Sequence, residues 1–180
     1  VLSASRGLER NYSTELELQR QPLTPIIKSY AEDPEGDWLA GLSLSVIREL
    51  SDAYFSTFNL VGPLIDRTFF FHNILGSVID RGFENEIEAC LVLVVLALGC
   101  FGLKFRVEAK RESSLDRSQP GSEYHEAHYG RRSAKELKLL LDEEITGLRF
   151  FNESRKRIGF LNCDNSPQSS QYYFLSVYAY

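Results

Sequence analysis

The segment His125-Glu126-Ala127-His128 is the most metal-like feature of the chain. A zinc hydrolase of the His-Glu-x-x-His type needs its histidines four apart on a helix, so that both imidazoles face one ion and the glutamate acts as base. Here the spacing is three, and Tyr129 stands where the second ligand belongs. The surrounding residues are polar and without helical period, so the pair reads as part of a solvated loop. A nucleophilic cysteine needs an electropositive, partly exposed pocket beside a base. Cys90 and Cys100 lie instead in an apolar run, and Cys163 adjoins Asp164, whose charge raises a thiol pKa. There is no glycine-rich phosphate loop and no Gly-x-Ser-x-Gly elbow. No catalytic, cofactor-binding or metal-ligating residue is assigned, and the expectation is a non-enzyme.

Two other groups carry weaker chemistry. Tyr54, Phe55, Phe58, Phe69, Phe70 and Phe71, with His72 beside them, could line a small-molecule pocket between helices, which would make this a ligand-binding or enzymatic helical domain. Core packing is the plainer expectation for the same rings. Arg155-Lys156-Arg157 is a basic triplet of the kind found in nuclear import signals. At a helix C-terminus such cations simply oppose the negative end of the dipole.

Helices must position all of these. Ile47, Leu50, Tyr54 and Phe58 recur at steps of 3, 4 and 4, the stripe of an amphipathic helix. Residues 59–63 break it, with Gly62-Pro63 forming a turn because proline disfavours helical geometry just before it. Asp66 is placed to cap a second helix, with Phe71, Ile74, Leu75 and Val78 inward and Gly82 at its end. A third helix starts near Glu84, its acids favourable at the positive end of the dipole. It then runs through 89–103, fifteen residues without a charge. That falls short of the ~20 needed to cross a bilayer. A helix apolar on all sides belongs at the centre of a helical core, which is preferred here to a membrane segment. Gly99 and Gly102 should weaken its end.

Residues 104–133 lose the pattern and read as a long exposed loop, of the kind that is either an insertion or functional. Ser133 and Glu136 then form a capping box for a fourth helix. Its stripe is Leu137, Leu140, Leu141, Ile145, Leu148 and Phe151, broken or kinked at Gly147. Ser166-Pro167 opens a last helix, with Tyr173, Phe174, Val177 and Tyr178 inward. No strand pattern competes. The expected fold class is all-α, an irregular helical domain incomplete at its C-terminal end.

Composition bounds the rest. The chain has 180 residues, 43% hydrophobic and 25% charged, enough for one domain with its own core. Three cysteines at wide spacing fit buried reduced thiols in an intracellular protein better than a disulfide framework. The net charge of −5 divides into −7 over residues 1–103 (7 basic, 14 acidic) and +2 over residues 104–180 (13 basic, 11 acidic). The basic residues of the second half alternate with acids, which argues against wrapping a nucleic-acid backbone. Residues 1–37 are polar and turn-rich, a linker with one short helical piece near Leu16 and Leu18. No methionine is present, and the chain reads as an interior fragment of a larger protein.

The order of segments carries a resemblance. Tyr54-Phe55, a short loop, Gly62-Pro63-Leu64-Ile65, Asp66-Arg67-Thr68 and Phe69 resemble the opening of the fungal-specific transcription factor domain. That domain is the middle homology region of fungal zinc-cluster activators. Residues 93–99 are similar to its apolar helix ending Ala-Leu-Gly, and residues 104–133 to the variable loop that follows. Phe150-Phe151-Asn152-Glu153-Ser154-Arg155 is similar to its aromatic-Phe-x-x-Ala-Arg segment, with Ser154 where alanine is usual. Residues 166–180 resemble its Ser-x-x-x-x-Gln helix, with Pro167 and Ser170 where apolar residues are more common.

The resemblance spans residues 41–180, and 38–180 would form the first part of the domain. It implies an all-helical regulatory region in the nucleus, acting through a co-regulator or small-molecule effector and not at a membrane. DNA contact and zinc would belong to a separate domain of the parent protein, because three scattered cysteines cannot build a six-cysteine cluster. It also implies that the face of residues 172–180 packs on helices outside this chain. The purified chain is therefore expected to melt broadly; a sharp, cooperative calorimetric transition would count against that implication.

Overall fold

A computed structural model describes residues 38–115, 131–142, 146–161 and 165–179, together with Glu15 and Gln19, both helical and exposed. The described residues form helices and turns, with no strand among them, so the all-α expectation holds. The 1–37 linker is otherwise outside the described residues, as are the His125–His128 segment, Ile145 and Cys163.

A turn at Trp38 leads into α1, Leu44–Phe55, whose Ile47, Leu50 and Tyr54 are buried as their spacing predicts. Phe58 does not extend this helix. The chain turns at Ser56 and Thr57 and makes one further helical turn, α2, Phe58–Val61, before Gly62 becomes extended ahead of Pro63. Asp66 caps α3 as predicted, its carboxylate accepting from the Phe69 amide at 2.7 Å. This helix runs Arg67–Phe69 in α geometry, Phe70–Leu75 in π geometry and Gly76–Arg81 in α geometry again. The π turn inserts a residue and rotates the stripe. Phe70 is therefore buried with Ile74, Leu75 and Val78, while the predicted Phe71 is only half-buried.

The central element is α4, Ile87–Leu115. Residues 104–115 continue this helix, which corrects the expectation of a loop beginning at 104. The longer helix also overturns the length argument against a membrane span. Its Ile87–Ala109 stretch is long and apolar enough to cross a bilayer, yet 83% of its most apolar window is buried by the protein's own helices. α1, α6 and α7 all pack along it. Here α5 is Arg131–Leu141, α6 is Leu148–Arg157 with a 3-10 turn Ile158–Leu161, and α7 is Pro167–Ala179.

The glycines of α4 do not mark a weak end. A Cβ at Gly99 would lie 2.1 Å from the Leu50 carbonyl oxygen, so only glycine lets α1 approach this closely. On another side of α4, Gly147 breaks the predicted fourth helix into α5 and α6. Its φ of +77° and a distance of 2.5 Å from its would-be Cβ to the Ala97 carbonyl oxygen both exclude a side chain.

The capping box at the fourth helix is not formed. α5 begins at Arg131, which places Ser133 inside the helix, and Glu136 serves a different element. Its carboxylate accepts from the Ser43 amide at 3.2 Å and the Ser43 hydroxyl at 2.8 Å, bridging α5 to the N-terminus of α1. An acidic group there also meets the positive end of the α1 dipole.

Replacing Gly99 by alanine should raise helix propensity by about 1 kcal/mol. The collision with the Leu50 backbone should outweigh that, for a net loss of about 2 kcal/mol. Gly76→Ala is the matched control, because its Cβ would find only the Phe71 carbonyl oxygen at 3.8 Å. Urea unfolding should rank Gly76→Ala at or above the parent and Gly99→Ala well below it; equal midpoints would disprove the close-approach account.

Candidate functional site

The segment between α1 and α3 is held by side chains. The Asn59 Oδ1 accepts from the Tyr54 hydroxyl at 3.2 Å and from the Ile65 amide at 3.2 Å, while its Nδ2 donates to the Ile65 carbonyl at 3.1 Å. From α7, the Gln171 Nε2 donates to the Leu64 carbonyl at 2.7 Å. Ser166 caps α7 as its position predicted, its Oγ accepting from the Ser169 amide at 3.2 Å. These bonds satisfy backbone groups of a non-helical stretch that would otherwise depend on water.

Between this held segment, the second half of α4 and the outer side of α7 lies a groove of about 790 Å³. Phe58, Val61 and Leu64 form one wall, and Phe101 and Phe105 of α4 form the floor. Phe174, Leu175 and Tyr178 of α7 close the other side. Nearly all of its surface is apolar. Val61 is 92% exposed and Phe105 69%, far more than isolated chance exposure of such large side chains would require. The Thr57 hydroxyl is turned back onto the end of α1, donating to the Ala53 carbonyl at 2.7 Å. Lys104 lines the groove, and its ammonium donates to the Thr146 hydroxyl at 2.8 Å. Glu108 is exposed at the mouth.

The aromatic residues singled out in the sequence are not the groove. Tyr54, Phe55 and Phe70 are buried, and the rings of Tyr54, Phe55, Phe70 and Phe71 meet edge-on or tilted at centroid distances of 5.0 to 5.7 Å. His72 is exposed on the π turn and does not line the groove. Of the predicted cluster only Phe58 does. The α7 face is also reversed: Ser169, Tyr172 and Leu175 are buried, whereas Tyr173, Phe174, Val177 and Tyr178 are exposed. Apolar side chains surround most of that helix, so its period could not choose a face. The groove's Phe101 and Phe105 left one signal, an i, i+4 pair that runs past the expected start of the loop at 104.

The remaining chemistry is structural. Cys90 and Cys100 are buried, and burial pushes the Cys90 thiol up to about 12, with Arg157 opposing and Glu88 adding to the shift. A neutral thiol of that kind is inert. The Ser154 and Tyr172 hydroxyls meet in the core at 3.0 Å. Burial raises the Tyr172 hydroxyl despite that bond. Among the described residues no three His, Cys, Asp or Glu side chains are grouped to hold a metal ion. The basic triplet occupies the last turn of α6, as predicted. Lys156 and Arg157 both pair with Glu153, at 2.5 and 2.8 Å, and Arg157 also donates to the Phe83 carbonyl at 3.1 Å.

No family model, curated protein or solved structure matches the chain.

Burial alone would raise the Glu153 carboxyl, but hydrogen bonds and charge from Lys156 and Arg157 hold it below its ordinary 4.5. A carboxylate depressed in the folded state stabilises above its unfolded pKa, and that contribution is lost as pH falls through the folded one. Stability should therefore decline from about pH 4.5 downward. In Glu153→Gln this part of the decline should be absent, read as a flatter urea midpoint against pH; an unchanged slope would remove Glu153 from the account.

Proposed function

We propose that this chain is a regulatory, non-catalytic region of a nuclear fungal transcription factor. It would act together with a zinc-dependent DNA-binding domain elsewhere in the parent protein. One observation supports the reading above others: the segments that carry the family resemblance are bonded to one another. Gln171, the glutamine of the Ser-x-x-x-x-Gln helix, donates to the Leu64 carbonyl within the Gly62-Pro63-Leu64 block. Ser154, in the third block, meets Tyr172 of the fourth through its hydroxyl. The alanine usual at that position could not make this bond, so the departure is matched by a partner within the same unit. The second block runs through the centre of the packing, where Gly99 takes the backbone of α1.

Regulation by such a unit is conformational. The held segment between α1 and α3 touches both α4 and α7, so an occupant of the groove biases the arrangement of all three. A ligand shifts an equilibrium only as far as it binds one arrangement better than the other. The restraint on the DNA-reading domain would follow that equilibrium.

Deleting residues 38–180 from the parent protein should change the output of a reporter carrying its DNA site several-fold, with DNA binding by the separate domain unchanged. Gln171→Ala, which frees the Leu64 carbonyl, should move output in the same direction by less. Identical reporter output from the intact and deleted proteins would sink the reading.

A further inference from the structure

We infer that the groove between α2, α4 and α7 is a binding site for one uncharged, ring-rich apolar small molecule. Its volume of about 790 Å³ falls within the range that takes a single small ligand. Ring-bearing walls on three sides, from Phe58, Phe101, Phe105 and Phe174, favour flat or branched hydrocarbon over a flexible polar chain.

Charge selects the neutral class. The Lys104 ammonium keeps its positive charge but donates to the Thr146 hydroxyl, which does not line the groove, and the Glu108 carboxylate one turn on carries the opposite charge. The Thr57 hydroxyl is spent on Ala53. The lining therefore carries one positive and one negative charge, and no net charge draws in an ion of either sign. An ionised ligand would lose hydration on entry to an almost wholly apolar surface, with no net opposite charge to replace it. The site differs from the pocket expected around His72, and its existence does not depend on the transcriptional reading.

The test uses the full chain and two probes with the same rings. Phenylnaphthylamine is neutral, and anilinonaphthalene sulfonate adds one negative charge. Fluorescence titration should give one phenylnaphthylamine site per chain, and the sulfonate should bind about tenfold more weakly or worse. Gly62→Trp places an indole at the groove where a Cβ meets no atom within 4 Å, on an extended backbone with φ of −137°. It should abolish binding while circular dichroism stays unchanged. Phe105→Glu, at a position already exposed, should do the same by charge and guards against a folding defect in the first variant.

Three outcomes would overturn the inference. One is equal or tighter binding of the sulfonate, and another is undiminished phenylnaphthylamine binding in both folded variants. The third is absence of phenylnaphthylamine binding; if the chain then sediments as a dimer that Gly62→Trp disperses, the groove belongs to a second copy. Reporter output plays no part in this titration, so its result and that of the deletion experiment fail independently.

Discussion

The contact of the Gly99 backbone with the Leu50 carbonyl sets the geometry from which the rest follows. The two helices cannot come this close if α4 carries a side chain at the crossing, because a Cβ 2.1 Å from the Leu50 carbonyl oxygen has nowhere to go. Drawn against α4, α1 buries Val46, Ile47, Leu50 and Tyr54 on it. Its end then delivers α2 and the Gly62-Pro63 segment over the second half of α4. Gly147 accomplishes the same on another side, bringing the start of α6 to the Ala97 backbone. The apolar helix is enclosed because backbone, not only side chains, packs against it.

Close packing leaves the connections as the places where polar groups must be satisfied, and side chains from near and far answer them. Asn59 holds the Ile65 backbone, Gln171 holds Leu64, and Glu136 reaches across 93 positions to Ser43. Each bond is worth on the order of 1 kcal/mol in stability. Their larger effect is to fix where the α1–α3 connection sits against α4 and α7. That connection is one wall of the groove, so these bonds shape the cavity without lining its interior.

The exposed apolar side of α7 and the groove form one continuous region, since Phe174 and Tyr178 belong to both. Tyr172, the neighbour that turns inward, is fixed by its hydroxyl contact with Ser154. With Ser169 and Leu175 also buried, this contact helps set which side of α7 faces the core and which aromatic rings are left to form the groove.

Local chemistry was legible in the sequence because its signals are local. The Asp66 and Ser166 caps, the Pro63 turn, the Gly82 stop and the buried stripe of α1 act within a few residues and appear where spacing placed them. So does the enclosure of 89–103, which follows from the absence of any polar side to face water. Tertiary contacts decided what local signals could not. Glu136 left a plausible capping box for Ser43, and the polar residues after Leu103 continued a helix because its first half was anchored in the core. A π turn exchanged Phe71 for Phe70. The face of α7 and the groove beside it depend on pairings between residues 18 to 107 positions apart. No period within a single helix encodes such a pairing, because it exists only once the backbones of α1 and α4 have met at Gly99.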